Sequence, residues 1–167
     1  MAGQINLKIH LTKRMLTYGD GSVGSDRLRK NLAQFMTKHF HPKTPIVLDH
    51  VAILAGVSAI IDDVCYCLCD AGEGVLLGRP LYVGFISDIV NRSQAKPVLV
   101  SFDGIDPLSL EAVEQYEIAL EQSHEQGIPI RALILCHPHN PLGECYSPDV
   151  LMAYVRLCAK YKIHLVR

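Results

Sequence analysis

The stretch Ile130–Gly143 constrains the fold of this chain more than any other. It begins with an aliphatic run, ending at Leu135, of the kind that forms a strand buried on both faces of a parallel sheet. Two prolines then stop the run, and Pro141 favours an extended Asn140 before it. Helix signals resume at Ser147-Pro148, a cap residue followed by proline at the first helical position. This pattern predicts a polar turn at the carboxyl edge of an α/β sheet, where open sheets bind ligands, although an ordinary strand-to-helix loop has the same pattern.

Short apolar runs alternate with helical patterns along the rest of the chain. The predicted strands begin at His50, Val75, Pro97, Ile130 and Ile163, and a short alternating segment from Ile5 to Leu11 resembles a further strand. Such alternation is typical of an α/β fold with a parallel or mostly parallel sheet and helices on both faces. No linker, repeat or low-complexity segment interrupts the pattern, so we expect residues 1–167 to form one continuous domain.

Two of the predicted helices have an apolar stripe that we expect to be buried. In the helix that follows Ser25, the stripe consists of Leu28, Leu32, Phe35, Met36 and Phe40. In the helix that Asp106-Pro107 opens and that ends near Gln126, apolar contacts are expected from Leu110, Val113, Ile118 and Leu120. Its glutamates, including Glu111, Glu114 and Glu121, are expected to form the solvated face.

The best candidate for a phosphate cradle is the turn at Gly56. The predicted strand His50–Leu54 runs directly into a helical pattern there, and glycine lets the backbone approach a ligand closely. The free amides at the start of the helix attract an anion. A glycine that merely turns the chain would have the same sequence signature.

Tyr82 is a second candidate, because it follows a predicted strand and Pro80. An aromatic ring in this position is compatible with packing over a flat ligand. It is equally compatible with a tyrosine that anchors the next helix.

The residues of the Ile130–Gly143 stretch also resemble a known family. The run His139-Asn140-Pro141-Leu142-Gly143 is similar to the Asn-Pro-x-Gly turn of pyridoxal-phosphate enzymes of the aspartate-aminotransferase fold, the class I/II aminotransferases of fold type I. The flanking segment Cys145–Leu151 resembles 1-aminocyclopropane-1-carboxylate synthase-like proteins and their fungal relatives. Tyr18–Gly24, with Leu28-Arg29 after it, resembles the family's Tyr-x-Asp-x-x-Gly loop and the Leu-Arg pair that follows it.

The resemblance implies a pyridoxal 5′-phosphate cofactor and a role for each candidate residue. Asn140 would hydrogen-bond the ring hydroxyl of the cofactor, and Tyr82 would stack on the pyridine ring. Gly56, Val57 and Ser58 would hold the phosphate through backbone amides and a hydroxyl. Family members act on small amino-acid substrates and dimerise with shared active-site loops, so the resemblance implies a homodimer, or a heterodimer with a full-length relative.

The end of the chain departs from the family pattern. Tyr161–Arg167 resembles the family strand that continues into Ser-Asp-Glu-Ile-Tyr, and Arg167 stands at the serine position. We therefore expect residues 1–167 to be a partial cofactor-binding large domain. The family's aspartate for the pyridine nitrogen, its cofactor-bound lysine, its substrate-binding arginine and its small domain would be absent. No catalytic residue is assigned within the chain.

The functional expectation follows from these residues. It is a truncated aminotransferase or 1-aminocyclopropane-1-carboxylate synthase-like protein of amino-acid or secondary metabolism, which keeps part of the cofactor site and is inactive alone. Two alternatives stay open. The chain is a non-catalytic interaction partner of a full-length relative, or it is a fragment of an active aminotransferase produced by a misread gene boundary.

Composition limits the other function classes. Half of the residues are hydrophobic (49%), a fifth are charged (20%), and the formal net charge of −1 gives no electrostatic footprint for nucleic acid. The longest apolar run, Val51–Ile61, is too short to span a membrane, and the first residues lack a secretory signal, so we expect a cytoplasmic protein.

Other motifs are weak evidence for a site. The glycines at 19, 21 and 24 form a G-x-G-x-x-G without the flanking strand and acidic residue of a dinucleotide site. The six cysteines lack C-x-x-C spacing and are expected to be free thiols. His137 and His139 have no further ligands nearby in sequence, so no metal site is predicted.

Overall fold

The computed structural model describes residues 13–167, so the strand predicted from Ile5 to Leu11 lies outside the described residues. Two compact units divide the chain, one ending at Ala55 and the other spanning Gly56–Arg167. The assignment of the whole chain to one cofactor-binding domain stays a prediction.

The first unit is built around one amphipathic helix. A 3-10 helix at Lys13–Leu16 precedes helix α1, Asp26–Phe40, and a second 3-10 helix follows at Leu48–His50. The Ser25 hydroxyl accepts a hydrogen bond from the amide of Leu28 at 3.3 Å, which caps α1 as Ser, Thr, Asp and Asn commonly do. The predicted start of this helix is confirmed.

The buried residue that organises this unit is an arginine. The Arg29 guanidinium donates to the carbonyl oxygen of Val51 at 2.7 Å and to that of Leu48 at 3.0 Å. Its Nη1 also lies 3.5 Å from the carboxylate of Asp26. A buried charge is tolerated only when its donors are satisfied, and these contacts satisfy them. Arg29 therefore ties α1 to the segment that follows it.

This arginine also explains why the strand predicted at His50–Leu54 is wrong. Its first residue, His50, closes the second 3-10 helix, and residues 51–54 pair with no sheet strand. The Arg29 guanidinium donates a hydrogen bond to the Val51 carbonyl, and the Ile53 amide donates to the carbonyl of Val23 at 2.9 Å. Since these backbone groups are satisfied within the unit, an apolar run that looks like a strand packs here without joining a sheet.

The second unit contains a sheet of four parallel strands. The strands are β1 Gly74–Gly78, β2 Lys96–Val100, β3 Ile130–Ile134 and β4 His164–Val166, in the order β2-β1-β3-β4. Four of the predicted strands are thereby confirmed, each beginning at or next to the predicted residue. The buried run Val75-Leu76-Leu77 in β1 has the continuous apolar character of a central parallel strand.

Helices cover both faces of this sheet, as the sequence predicts. Leu76 of β1 packs with helices α4, Leu110–Glu125, and α5, Pro148–Tyr161. Its neighbours Val75 and Leu77 point to the opposite face and pack with helices α2, Val57–Leu68, and α3, Gly84–Val90. The predicted α/β class is confirmed.

The strand order reverses between β1 and β3. From β1 the chain crosses to β2 on one side through α3, and it later returns through α4 to β3 on the other side of β1. At such a switch point the two connections leave the sheet in opposite directions, and open α/β sheets bind ligands in the crevice above it. The turn at Asn140 follows β3 and therefore lies at this edge.

The apolar stripes predicted for two helices are partly wrong. On α1, Leu28, Phe35 and Phe40 are exposed, whereas Arg29 and Ala33 are buried one turn apart. The helix contacts the 3-10 segment through the side of α1 that carries Arg29, and hydropathy does not predict this side. On α4, the exposed residues are Leu110 and Ile118, and the buried stripe is Ala112, Val113, Tyr116, Leu120 and Ser123. Glu111, Glu114 and Glu121 are exposed as predicted.

The cysteines are free thiols in the described structure. Cys65, Cys69 and Cys158 are buried, and burial raises the pKa of Cys65 to about 12. Among residues 13–167, no three His, Cys, Asp or Glu side chains are grouped so that they could hold a metal ion. Nor does any helix in this range have the length and apolarity needed to cross a membrane.

Candidate functional site

The Gly56 turn opens helix α2 with unpaired backbone amides. Gly56 has φ +94° and ψ 178°, a region that is essentially restricted to glycine, and it caps the helix without a side-chain hydrogen bond. The first helical bond runs from the Ile60 amide to the Gly56 carbonyl at 3.2 Å, so the amides of Val57, Ser58 and Ala59 precede the ladder. The first turn contains no acidic residue, and Ser58 is exposed. This turn can accept an anion.

Helix α2 runs in the direction opposite to β1. The turn Asp70–Glu73 joins α2 to β1, so the helix runs toward the amino end of the strand. Twelve helical residues rise about 18 Å, and five strand residues rise about 17 Å. The Gly56 turn therefore lies at the end of α2 that is remote from the turn into β1.

Tyr82 follows β1 after the cis peptide bond between Arg79 and Pro80. Its side chain is half exposed (49%), and its ring meets that of Phe85 edge to face, with the centroids 5.6 Å apart. The Cα of Gly84 lies against the same ring. Tyr82 is thus held from one side by the start of α3 and presents the rest of its surface to solvent.

Asn140 lies in a tight turn after β3. The His139 amide donates to the Glu144 carbonyl at 2.7 Å, and the Gly143 amide donates to the His139 carbonyl at 2.8 Å. These two bonds close the turn around Asn140, whose own side chain is exposed. The peptide bond to Pro141 is cis. The backbone on either side fixes the position from which the Asn140 amide points outward.

Of the predicted site residues, the structure places Asn140 in a crevice beside the segment that precedes Tyr82, and Tyr82 itself does not line it. A small crevice between the ends of β1 and β3 is bordered by Gly78, Cys136, His139 and Asn140, and also by Leu81, the residue before Tyr82. Asn140 and the Tyr82 segment therefore meet at the switch point. Gly56, Val57 and Ser58 do not line this crevice.

Sequence reasoning missed two residues that shape the Asn140 turn. His139 is buried (7% exposed), and burial lowers the pKa of its imidazole. Tyr146 is buried beside it, and burial raises the pKa of Tyr146 to about 12. The sequence suggests His137 and His139 only as possible zinc ligands. In the structure, each of these rings accepts a backbone hydrogen bond through Nδ1. An aromatic three residues after a glycine turn was the available signal for Tyr146.

Comparison with curated proteins gives the relationship by sequence. The chain is 35% identical over 157 residues to the probable aminotransferase sirI of Leptosphaeria maculans, covering 94% of this chain and 37% of that protein. It is 31% identical over 160 residues to the human 1-aminocyclopropane-1-carboxylate synthase-like protein 1, covering 91% and 31%. The human probable inactive 1-aminocyclopropane-1-carboxylate synthase-like protein 2 is 32% identical over 158 residues, covering 91% and 28%. The chain spans about a third of the length of these relatives.

Solved structures with the same fold are aminotransferases. A kynurenine aminotransferase from Pyrococcus horikoshii aligns with a TM-score of 0.73 at 20% identity, covering 90% of this chain and 35% of that one. The aspartate aminotransferase of Thermus thermophilus, in complex with maleate, aligns with a TM-score of 0.70 at 21% identity, covering 86% and 35%. These likenesses establish a fold-type-I arrangement for the described part of the chain.

The family assignment rests on the sequence as a whole and not on one turn. The family model described as aminotransferase class I and II matches residues 4–167. The predicted resemblance to this family, including its 1-aminocyclopropane-1-carboxylate synthase-like members, is confirmed by this match and by the relatives above. The chain belongs to the aminotransferase class I and II family.

Proposed function

We propose that residues 1–167 carry part of a pyridoxal 5′-phosphate site of an aminotransferase of amino-acid or secondary metabolism. Gly56, Val57 and Ser58 hold the phosphate, Tyr82 contacts the ring face, and Asn140 bonds the ring hydroxyl. The observation that carries the proposal is the start of α2, where a glycine with φ +94° precedes amides that have no helical partner.

The charge and geometry of the α2 start support phosphate as its ligand. Three successive amides without helical partners point from the amino end of a helix of 12 residues, where the helix dipole favours an anion. A Cβ built on Gly56 meets nothing within 4 Å, so the space beside the turn is open. The Ser58 hydroxyl can add one further donor.

The ring contacts come from the two neighbouring strand ends. Tyr82 is anchored edge to face on Phe85, which leaves part of its surface available for a flat ligand. Asn140 carries both an amide donor and a carbonyl acceptor at the adjacent edge. The residues present therefore fit the phosphate, one ring face and the hydroxyl of the cofactor.

These residues would bind and orient the cofactor, but the reactions of the family also require a lysine amine and a carboxylate at the ring nitrogen. Pyridoxal phosphate supplies an electron sink for amino-acid substrates when a lysine amine and a ring-nitrogen carboxylate accompany it. The 167 residues contain the proposed binding groups for the cofactor, but they do not contain the Ser-x-Ser-Lys segment that carries the family's cofactor-bound lysine. We propose that this chain, tested by itself, holds the cofactor without turning over an amino acid.

The phosphate assignment is tested by binding of pyridoxamine 5′-phosphate, which has no aldehyde to react with surface lysines. We expect a Kd on the order of 1 mM for the unmodified chain, which corresponds to about 4 kcal/mol from three amides and three side chains. Gly56→Val should abolish binding, since valine cannot adopt φ +94° without moving the amides. Isothermal titration calorimetry measures both.

Gly72→Val is the matched control for that experiment. Gly72 has φ +87° and open space around it, but it lies in the turn before β1, at the opposite edge of the sheet. Its variant should suffer similar backbone strain and still bind the probe. Equal binding by the Gly56→Val chain would refute the phosphate assignment, and pyridoxamine without its phosphate should not bind at all.

A second candidate function is that of a non-catalytic partner for a full-length relative. The exposed apolar side chains of Leu28 and Phe35 favour it, because they lie seven residues apart on the same side of α1, and exposed apolar surface marks interaction sites. One of the human relatives is itself named probable inactive. Absence of any pyridoxamine 5′-phosphate binding by the unmodified chain would favour this candidate over the first.

A further inference from the structure

The turn that carries Asn140 is closed by the ring of the preceding residue as well as by its backbone. The Nδ1 atom of His139 lies 3.4 Å from the amide nitrogen of Leu142, which donates to it. The same residue pairs through its backbone with Glu144 and Gly143. Three of the contacts that define this turn thus converge on one buried histidine.

A second imidazole closes the far side of the turn. The Nδ1 atom of His137 accepts from the amide of Tyr146 at 3.3 Å. The ring of Tyr146 lies 5.8 Å from that of His137 and 6.0 Å from that of His139, measured between centroids. Tyr146 in turn packs edge to face on the buried Tyr154 of α5. The two histidines therefore join the turn to the core of the unit.

Both contacts require a neutral ring with its proton on Nε2. An imidazole nitrogen accepts a hydrogen bond only when it carries no proton, and both nitrogens are donors in the imidazolium form. Protonation would place an N–H group against the N–H of Leu142 or Tyr146. Each contact would then change from attraction to repulsion.

We propose that His137 and His139 are positioning residues that hold the Asn140 turn only as neutral Nε2–H imidazoles, so that acid releases the turn. The proposal concerns the turn itself and stands without any ligand. Only its consequence, the loss of the Asn140 contact to the cofactor at low pH, rests on the proposed function.

The groups around the two rings favour the neutral form. The titratable side chains that border the His139 crevice are Cys136, Tyr116 and Tyr146. The Cys136 thiol donates to the Pro138 carbonyl, and burial raises the pKa of both tyrosines. Glu144 meets His139 through its backbone carbonyl, and its side chain is exposed.

The charge that acts on His137 is that of a cation. Burial lowers the pKa of His137, and Arg167, which follows β4, opposes protonation of the ring in the same direction. Burial alone lowers the pKa of His139. Because the folded turn binds fewer protons than the unfolded chain, its stability is complete above the ordinary histidine pKa of 6.5 and falls as pH drops through the lowered values.

Amide hydrogen exchange and NMR of the imidazole rings, both on the full chain, test whether the two neutral histidines hold the Asn140 turn. Long-range ¹H–¹⁵N spectra at neutral pH should show both rings in the Nε2–H form. The protection factor of the Gly143 amide should fall as pH drops below 6.5, by up to tenfold per pH unit for each ring that is protonated in the opened turn but still neutral in the closed one.

Substitutions distinguish the hydrogen bond to His139 Nδ1 from the packing of the histidine ring. In His139→Asn, the side-chain oxygen can accept from the Leu142 amide but does not titrate. The protection factor of Gly143 should therefore be retained at neutral pH and depend less steeply on pH than in the unmodified chain, because only His137 still titrates. In His139→Leu, protection should be low at every pH. His41→Asn removes an exposed imidazole from α1's C-terminal end, where Asn suits the left-handed backbone, and should leave the pH profile unchanged.

Two outcomes would overturn the proposal. One is a His137 or His139 ring with its proton on Nδ1 at neutral pH. The other is a His139→Asn chain whose Gly143 protection has the same pH dependence as the unmodified chain. Both are decided even if His139→Leu does not fold, because neither measurement uses that variant.

Discussion

Gly78→Ala should lower the free energy of unfolding of the second unit by about 3 kcal/mol. Gly78 ends β1 against the hydroxyl of Tyr116 and the ring of Phe102, and an added Cβ would approach the Phe102 ring at 2.9 Å and the Tyr116 hydroxyl even more closely. Tyr116 is fully buried between Phe102 and Tyr154, so it cannot swing away. The methyl group must therefore displace packed rings or the strand end. Urea denaturation followed by far-UV circular dichroism measures the change.

Gly84→Ala is the matched control, since it is the same substitution at a comparably close approach. Its added Cβ would meet only the ring of Tyr82, which is half exposed and can rotate into solvent. Gly84 also opens α3, where alanine is a better helix former than glycine. Its stability should change by less than about 1 kcal/mol. If the two variants were equally stable, the packing of Tyr116 on β1 would be wrong.

Arg29→Met should destabilise the first unit by about 3 kcal/mol. The substitution keeps the apolar stem but removes the guanidinium donors. The Val51 carbonyl then loses its donor, and the Leu48 carbonyl keeps only the bond from the Val51 amide at 3.1 Å. Hydrogen bonds to charged groups contribute about 1.5–3 kcal/mol each, and an unsatisfied buried carbonyl adds its own desolvation cost. Native-state hydrogen exchange at the Ile53 amide, which bonds to Val23 in the same unit, reports the local free energy of opening.

Arg27→Met provides the reference for that measurement. Arg27 lies on the exposed side of the same helix turn, so its variant makes the same change in charge and helix propensity without touching a buried carbonyl. We expect an effect within about 0.5 kcal/mol. Equal exchange rates at Ile53 in the two variants would show that Arg29 does not tie α1 to residues 48–51.

The sheet was predictable because its strands are buried on both faces. Val75-Leu76-Leu77 and Ile130–Ile134 are apolar without alternation, and both are bounded by glycine or proline turns. The helix starts at Ser25 and Ser147 were predictable for a similar reason, because a capping hydroxyl is a local feature. Where local chemistry decides the structure, one sequence is enough.

The errors occur where a distant side chain decides the structure. The apolar run after His50 has the composition of a strand, but the Arg29 guanidinium donates to its Val51 carbonyl. No local sequence pattern predicts that this arginine is buried. Leu110 and Ile118 fall on the solvent side of α4 because Tyr116 and Leu120 define the packed stripe instead. Tertiary contacts override hydrophobic periodicity in both cases.

The candidate site divides in the same way. The Gly56 and Asn140 turns were predicted from glycine, proline and the family resemblance, and the structure places the second of them at the switch point. The part played by His139 was not predictable, because its Nδ1 acceptor role depends on how the turn returns to meet it. Whether Gly56, Tyr82 and Asn140 bind the cofactor together stays a prediction.

The strand order has a consequence for the nascent chain on the ribosome. β1 occupies an inner position, yet its partner β3 and the helix α4 that covers Leu76 are both translated after β2. At about 5–20 residues per second, this interval lasts on the order of several seconds. Throughout it, the emerging β1–β2 pair has one apolar face and one unpaired strand edge uncovered, which is a template for aggregation. The sheet that places the Asn140 turn at the switch point is thus exposed to aggregation during part of its own synthesis.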